Sequence, residues 1–393
     1  MAEAVPAAGA SPIAQDEELA VYVHWPFCLA KCPYCDFNSH VRDDVDDLRW
    51  RRALCAEIEY VAAEAPGRKV TSIFFGGGTP SLMAPETVAA VIDHVGRLWR
   101  LDQGAEITLE ANPGEAPGQW LTEYYKLGIN RLSMGFQSLQ PKLLTYLSRL
   151  HSPKDCFSTY RNARDAGFEN INIDMIFNIP GQSLKVFQDD LKQVVKLEPE
   201  HISAYSLTVE KNTPLYTIVR DGKIIMPSEE MEVDMFEFCQ KYLRSHGYSQ
   251  YEISNYSRDG MECCHNLHYW NLEPYLAFGP SAHGYDGHIR WWNTSSLDAY
   301  IQMLEHNEKP VSGSETLSQT DHFNEAVFNG LRTQEGIQLR KIHSWETDLK
   351  KMNPTILKWK DRLNITKDTI SLKSDSYKFA DEIASNMMIT EPQ

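Results

Sequence analysis

The sequence predicts an α/β protein: an open (β/α)6 partial barrel, then an additional α+β region, then a small C-terminal helical domain of winged-helix type. Three observations carry that expectation. Six short apolar, β-branched or aromatic runs alternate with longer amphipathic stretches, the pattern of parallel strands joined by right-handed crossovers. Six units are too few to close an eight-stranded barrel. The rhythm then breaks after about Asn212 and does not return. The chain of 393 residues exceeds one average domain and divides into a tail (1–19), a barrel (20–212), an accessory region (213–315) and a last domain (316–393).

The elements follow in order. Strand Ala20–His24 leads to helix Asp46–Ala65, and strand Thr71–Phe75 to helix Pro85–Arg100, which Pro85 and Glu86 start. Strand Glu106–Glu110 precedes helix Gly118–Leu127, which Gly128 stops. Strand Arg131–Phe136, helix Pro153–Ala166, strand Asn170–Phe177, helix Leu184–Leu197 and strand His201–Leu207 complete the series. After Phe177, Asn178 occupies a turn position that tolerates left-handed φ. Beyond the barrel come one amphipathic helix over Met226–His246, the segment Tyr251–Tyr256 and a Gly279–Gly284 turn. Helix His322–Leu331 and strand Thr369–Leu372 suggest the winged-helix-like end.

Composition narrows the function. Hydrophobic residues at 42% and charged residues at 23% belong to an ordinary globular protein. A net charge of −16 argues against a broad nucleic-acid surface, and no apolar stretch approaches a membrane span. Eight cysteines are too sparse for a secreted disulfide scaffold. Free thiols fit a reducing cytoplasm, which is the expected location, and residues 1–17, which carry no Lys or Arg, read as a disordered tail.

Three of the cysteines, Cys28, Cys32 and Cys35, share one short loop. Three thiolates at this spacing can hold three irons of a 4Fe–4S cluster and leave the fourth iron open. The alternative is a zinc site completed by Cys263, Cys264 and His265. The glycine run Gly76-Gly77-Gly78-Thr79 directly follows the second strand, where it lets backbone approach a ligand. The recurring polar residues stand at strand ends: Glu110 after the third, Gln137 after the fourth, Asp174 in the fifth, Ala204-Tyr205 in the sixth. That is where a barrel of this kind places function.

The CxxxCxxC loop and the glycine motif together resemble the radical S-adenosylmethionine superfamily. The resemblance implies that the open iron chelates S-adenosylmethionine, whose cleavage yields a 5′-deoxyadenosyl radical. From Val21 to about Gly336 the chain resembles, more narrowly, the branch of oxygen-independent coproporphyrinogen III oxidase and the HemW haem chaperones. The motifs are Tyr22–Cys28, Thr108–Pro113, Arg131–Ser138 and Ile173–Ile176. By that match Tyr22, Tyr34, Gly77, Gly78, Thr79, Glu110, Gln137, Arg149, Asp174 and Ala204 line the S-adenosylmethionine site.

Two features separate the branches. The oxidases carry a further cysteine where this chain has Phe37, and His265-Asn266-Leu267-His268-Tyr269-Trp270 contains the HNxxYW motif of the HemW family. The resemblance therefore implies haem b as a ligand, with His265 as its binding residue and His268, Cys263 and Cys264 as rival axial ligands. It implies a chaperone role more than a coproporphyrinogen dehydrogenase, which is the alternative; a radical RNA-modifying enzyme conflicts with the acidic charge. Expected partners are haem, an apo-haemoprotein acceptor and an electron-donor protein, with no nucleic acid and with a homodimer left open.

Overall fold

In the computed structural model, which describes residues 18–389 apart from 43, 64–66, 117 and 343–353, the six apolar runs are strands. They are β1 (Glu18–Trp25), β2 (Lys69–Gly77), β3 (Arg100–Ala111), β4 (Arg131–Gln137), β5 (Asn170–Phe177) and β6 (His201–Ser206). All five pairings between them are parallel and in chain order. The expected tail lies almost wholly outside the described residues, and β1 begins at Glu18.

The crossovers are α1 (Asp47–Ala62), α2 (Pro85–Leu98), α3 (Gly118–Lys126), α4 (Pro141–Tyr146), α5 (Pro153–Ala166) and α6 (Leu184–Val195). Local chemistry sets their ends. The Asp46 side chain accepts from the Arg49 N–H to start α1, and Ser152 with Asp155 forms a capping box on α5. Gly167 ends α5 at φ 110°, a conformation that glycine adopts without strain. Helix α2 stops at Leu98, short of the expected Arg100, because Arg100 already belongs to β3. Short α4 had no signal in the strand–helix rhythm.

Burial alternates with period two along the strands. Val21, Val23, Ile73, Phe75, Leu109, Leu132 and Met134 face the helices and share one core with Leu54, Ile58, Val91 and Leu191. The opposite face is polar, with buried Ser72, Glu106, Thr108, Arg131, Ser133, Asn172, His201 and Ser203. A polar inner face needs partners, and the next region brings them.

The rest of the chain extends the same sheet on both edges. After α7 (Pro214–Arg220) and α8 (Glu229–Ser245), β7 (Ser249–Gln250) and β8 (Asn255–Ser257) add antiparallel strands beside β6. Helix α9 (Cys264–Trp270) follows, then β9 (Tyr275–Phe278), which pairs in parallel with β1. Strands β10 (His283–Tyr285) and β11 (Ile289–Asn293), helix α10 (Leu297–Glu305) and strand β12 (Val311–Thr316) finish that edge. The twelve-stranded order is β12-β11-β10-β9-β1-β2-β3-β4-β5-β6-β8-β7. A seventh parallel strand thus joins the six that were expected.

The chain ends in α11 (Gln319–Gly330), a helix over Ala380–Met387 and a three-stranded antiparallel sheet. They enclose a second core of Phe323, Val327, Leu331, Ile370 and Ile383, against which Phe236 and Ile253 pack. Among the described residues, no helix is long and apolar enough to cross a membrane.

Candidate functional site

The glycine run is the bed of the cysteine loop. The Gly78 N–H donates to the Trp25 carbonyl at 2.7 Å and the Thr79 N–H to the Phe27 carbonyl at 2.8 Å. A Cβ on Gly78 would stand 2.6 Å from the Phe27 carbonyl oxygen, and one on Gly77 (φ 111°) 2.5 Å from the His24 ring. These glycines are required by the loop seated on them, before any ligand is considered.

Cys28, Cys32 and Cys35 are free, half-buried thiols on the wall of one cavity. Burial pushes the Cys28 and Cys35 thiols up, and the neighbouring thiols add to that; hydroxyl contacts from Thr79 and Ser39 on Cys28 act the other way. Arg149 Nη1 lies 3.7 Å from Cys32 Sγ. Three thiols opening on one space, beside hydroxyl and guanidinium donors, fit three corners of an iron–sulfur cube. Among the described residues, no three His, Cys, Asp or Glu side chains converge to hold a single ion, so the zinc alternative has no closed ligand set.

The cavity has a volume of about 1330 Å³ and opens at the C-terminal ends of the barrel strands. Tyr22, Tyr34, Gly77, Gly78, Thr79, Glu110, Gln137, Arg149 and Asp174 all line it. Glu110 accepts from the Gly77 N–H at 3.1 Å. Burial, and then the charge of Asp174, push its carboxyl up to about 8. Asp174 accepts from Ser133 Oγ at 3.0 Å and Asn172 Nδ2 at 2.8 Å, and burial raises it as well. Arg149 donates to Asn112 Oδ1 and to the Gly135 carbonyl. Gln137 ends β4 at φ 63°, next to a register shift between β4 and β5.

Two expected site residues are corrected. Ala204 belongs to the core under the helices, while its neighbours Ser203 and Tyr205 line the cavity. His265 does not line the cavity either. It is buried, with Nδ1 2.9 Å from Ser72 Oγ and Nε2 2.9 Å from the Tyr269 hydroxyl, and its ring stacks on Phe74. Both nitrogens are taken, so neither can ligate iron without giving up a bond. Burial holds its pKa down to about 3.

His265 belongs instead to the floor of the barrel. Glu106, pointing inward from β3, accepts the N–H groups of Cys264 at 3.0 Å and His265 at 3.1 Å and so caps α9. Arg131 Nε stands 3.9 Å from that carboxylate. The Cys263 thiol is buried and reaches Glu106, and His268 has Nε2 2.7 Å from the Pro274 carbonyl and Nδ1 3.1 Å from Glu273. Cys264 is exposed but is not part of the cavity wall. Of the HNxxYW motif, Asn266 and Tyr269 line the cavity.

Sequence reasoning missed Ser133, Asn172 and Ser203 as cavity residues, while Tyr205, named with Ala204 at the end of the sixth strand, does line the cavity. Strand phase could have found the three missed residues, since they alternate with core residues on β4, β5 and β6.

Residues 22–194 match the model of the radical SAM superfamily. The chain is 34% identical over 341 residues to the haem chaperone HemW of Bacillus subtilis, covering 86% of this chain and 90% of that one. It is 38% identical over 267 residues to HemW of Escherichia coli, covering 68% and 70%. It is 36% identical over 354 residues to the bovine mitochondrial radical S-adenosyl methionine domain-containing protein 1, covering 86% and 78%. Among solved structures, Escherichia coli coproporphyrinogen III oxidase (HemN) superposes with a TM-score of 0.81 at 22% identity, covering 96% of this chain and 91% of that one. At that identity the likeness concerns the fold.

Proposed function

The chain belongs to the HemW family within the radical SAM superfamily, and we propose that it is a haem chaperone that binds haem and passes it to an apo-haemoprotein. The observation that carries this reading is the size and lining of the cavity beside the cysteine loop. At about 1330 Å³ it exceeds the ~300–1,000 Å³ of a site for one small ligand. Its thiol end suits a cluster, and its far end is walled by Tyr269, Tyr275, Tyr285 and Phe328, apolar rings of the kind that cover a porphyrin face. Phe37, 60% exposed, lies on the wall where a fourth loop cysteine would mark the oxidases.

In this reading Cys28, Cys32 and Cys35 hold the 4Fe–4S cluster. S-adenosylmethionine lies against Gly77, Gly78, Glu110, Gln137, Arg149 and Asp174. When bound, the pair supplies one-electron chemistry beside the haem. Glu110 and Asp174 present acceptors to the hydroxyl and ammonium groups of the nucleoside cofactor, and Tyr34 and Arg149 cover the thiols. An electron-donor protein, a cytoplasmic setting that keeps the thiols reduced, and a homodimer belong to the same proposal.

The test adds haem, and separately coproporphyrinogen III with reductant and S-adenosylmethionine, to the reconstituted chain. Haem retention without porphyrinogen turnover is expected. Turnover without haem uptake would replace this reading with the oxidase reading.

A further inference from the structure

The correction at His265 leaves the haem iron without its expected ligand, and the cavity wall offers another. Two histidines line it, His24 and His283. His24 is buried, with Nδ1 3.0 Å from the Tyr22 hydroxyl and Nε2 2.9 Å from the Asn38 carbonyl. His283 is exposed, and among the described residues its ring nitrogens have no hydrogen-bond partner.

The setting of His283 suits a flat, aromatic macrocycle. It pairs with Trp292 across β10 and β11, and Tyr285 pairs with Arg290, so the four side chains share one face of the hairpin. The imidazole stacks on Trp292 with centroids 5.8 Å apart and planes 28° from parallel, which fixes the ring while leaving its edge free. Arg290, on the same wall, donates to Glu325 at 2.9 Å and to Glu315 at 3.2 Å, which holds the hairpin face in place. Partial desolvation by the cavity wall and then the charge of Arg290 hold the His283 pKa down, which favours the neutral, ligating imidazole. The Asn38 side chain donates to the Ser295 carbonyl at 3.1 Å, which ties the end of the cysteine loop, and with it Phe37, to the segment that follows β11.

We propose that His283 is the residue that ligates haem iron, within the cavity shared with the cysteine loop, and that His265 supports the floor beneath it. The assignment rests on the haem-chaperone reading. It places the haem between the hairpin β10–β11 and Phe37, beside the cluster.

The test uses the full chain with its cluster reconstituted anaerobically and titrates haem into wild type, His283→Ala and His265→Ala, following the Soret band and the ferric EPR spectrum. His283→Ala should bind haem at least about tenfold more weakly, with a shifted Soret band. Added imidazole should restore the wild-type spectrum, which a structural defect would not allow. His265→Ala should keep the wild-type Soret position in whatever fraction folds. A His283→Ala variant with wild-type affinity and spectrum would overturn the assignment while the chaperone reading stands. Wild type that takes up no haem would overturn the reading and the ligand together.

Discussion

Arg149 is the cation that meets the cysteine loop. Its Nη1 is 3.7 Å from Cys32 Sγ, and the Asn112 side chain and Gly135 carbonyl fix its other arm. A positive charge beside a cluster favours the reduced, more negative state. Arg149→Gln should therefore lower the cluster's reduction potential by on the order of 50 mV, as redox titration followed by EPR would read. An unchanged potential would remove Arg149 from the cluster's surroundings. Gly77→Ala should fail earlier, at assembly of the loop, because its Cβ meets the His24 ring. Cluster yield after reconstitution should fall, and S-adenosylmethionine binding with it. At this scale the shared cavity of the cysteines, Glu110 and Asp174 was legible, since motif and strand end coincide. Ala204 was a one-residue error of phase, and phase decides everything in a strand of period two. His265 was misread because its hydrogen-bond partner Ser72 lies 193 positions away, beyond any local signal.

Helix α9 shows what an element can hide. Its seven residues carry the HNxxYW motif, yet what holds it is Glu106, far away on β3. The same carboxylate faces buried Arg131. Glu106→Ala would uncap the helix and leave a guanidinium buried with its nearest carboxylate gone. Breaking a buried pair from one side costs about 3–5 kcal/mol. Urea unfolding should show a loss of that order, while the cysteine loop, on the opposite end of the strands, should still accept its cluster in the folded fraction. A loss below about 1 kcal/mol would mean that Arg131 finds other partners. The barrel itself was legible element by element, because each βα unit is local. Strand β9 was not: four residues, Tyr275–Phe278, pair with β1 some 250 positions earlier. Nothing in the period of a short apolar run says which edge it will join.

Three carboxyls, Glu57 and Glu252 buried and Glu110 on the cavity wall, sit where the parts of the molecule meet. Glu57 on α1 accepts from the Gly279 N–H at 2.9 Å, from Asn293 and from the Tyr300 hydroxyl, and so joins the helix layer to the added edge of the sheet. Glu252 bridges to Thr333 at the approach to the C-terminal domain, and Glu110 stands in the cavity. Burial pushes Glu57 and Glu252 up to about 7 and Glu110 up to about 8, from 4.5. A carboxyl whose folded pKa is raised holds its proton longer in the folded state, so stability falls as pH rises from the unfolded value to the folded one. The buried histidines act in the other direction but in another window. His265 at about 3 and His151 at about 4 cost stability only as pH drops below 6.5. Between pH 6.5 and 8 the carboxyls are thus alone, and the ligand-free chain should lose on the order of 3 kcal/mol, visible as a falling midpoint in thermal melts. Glu110 accounts for about half of that slope, being the last to ionise. Glu110→Gln should therefore flatten the profile by about half and raise the midpoint at pH 8. A midpoint that stays level or climbs across this range in wild type would mean that the three junctions open to water as their carboxyls ionise.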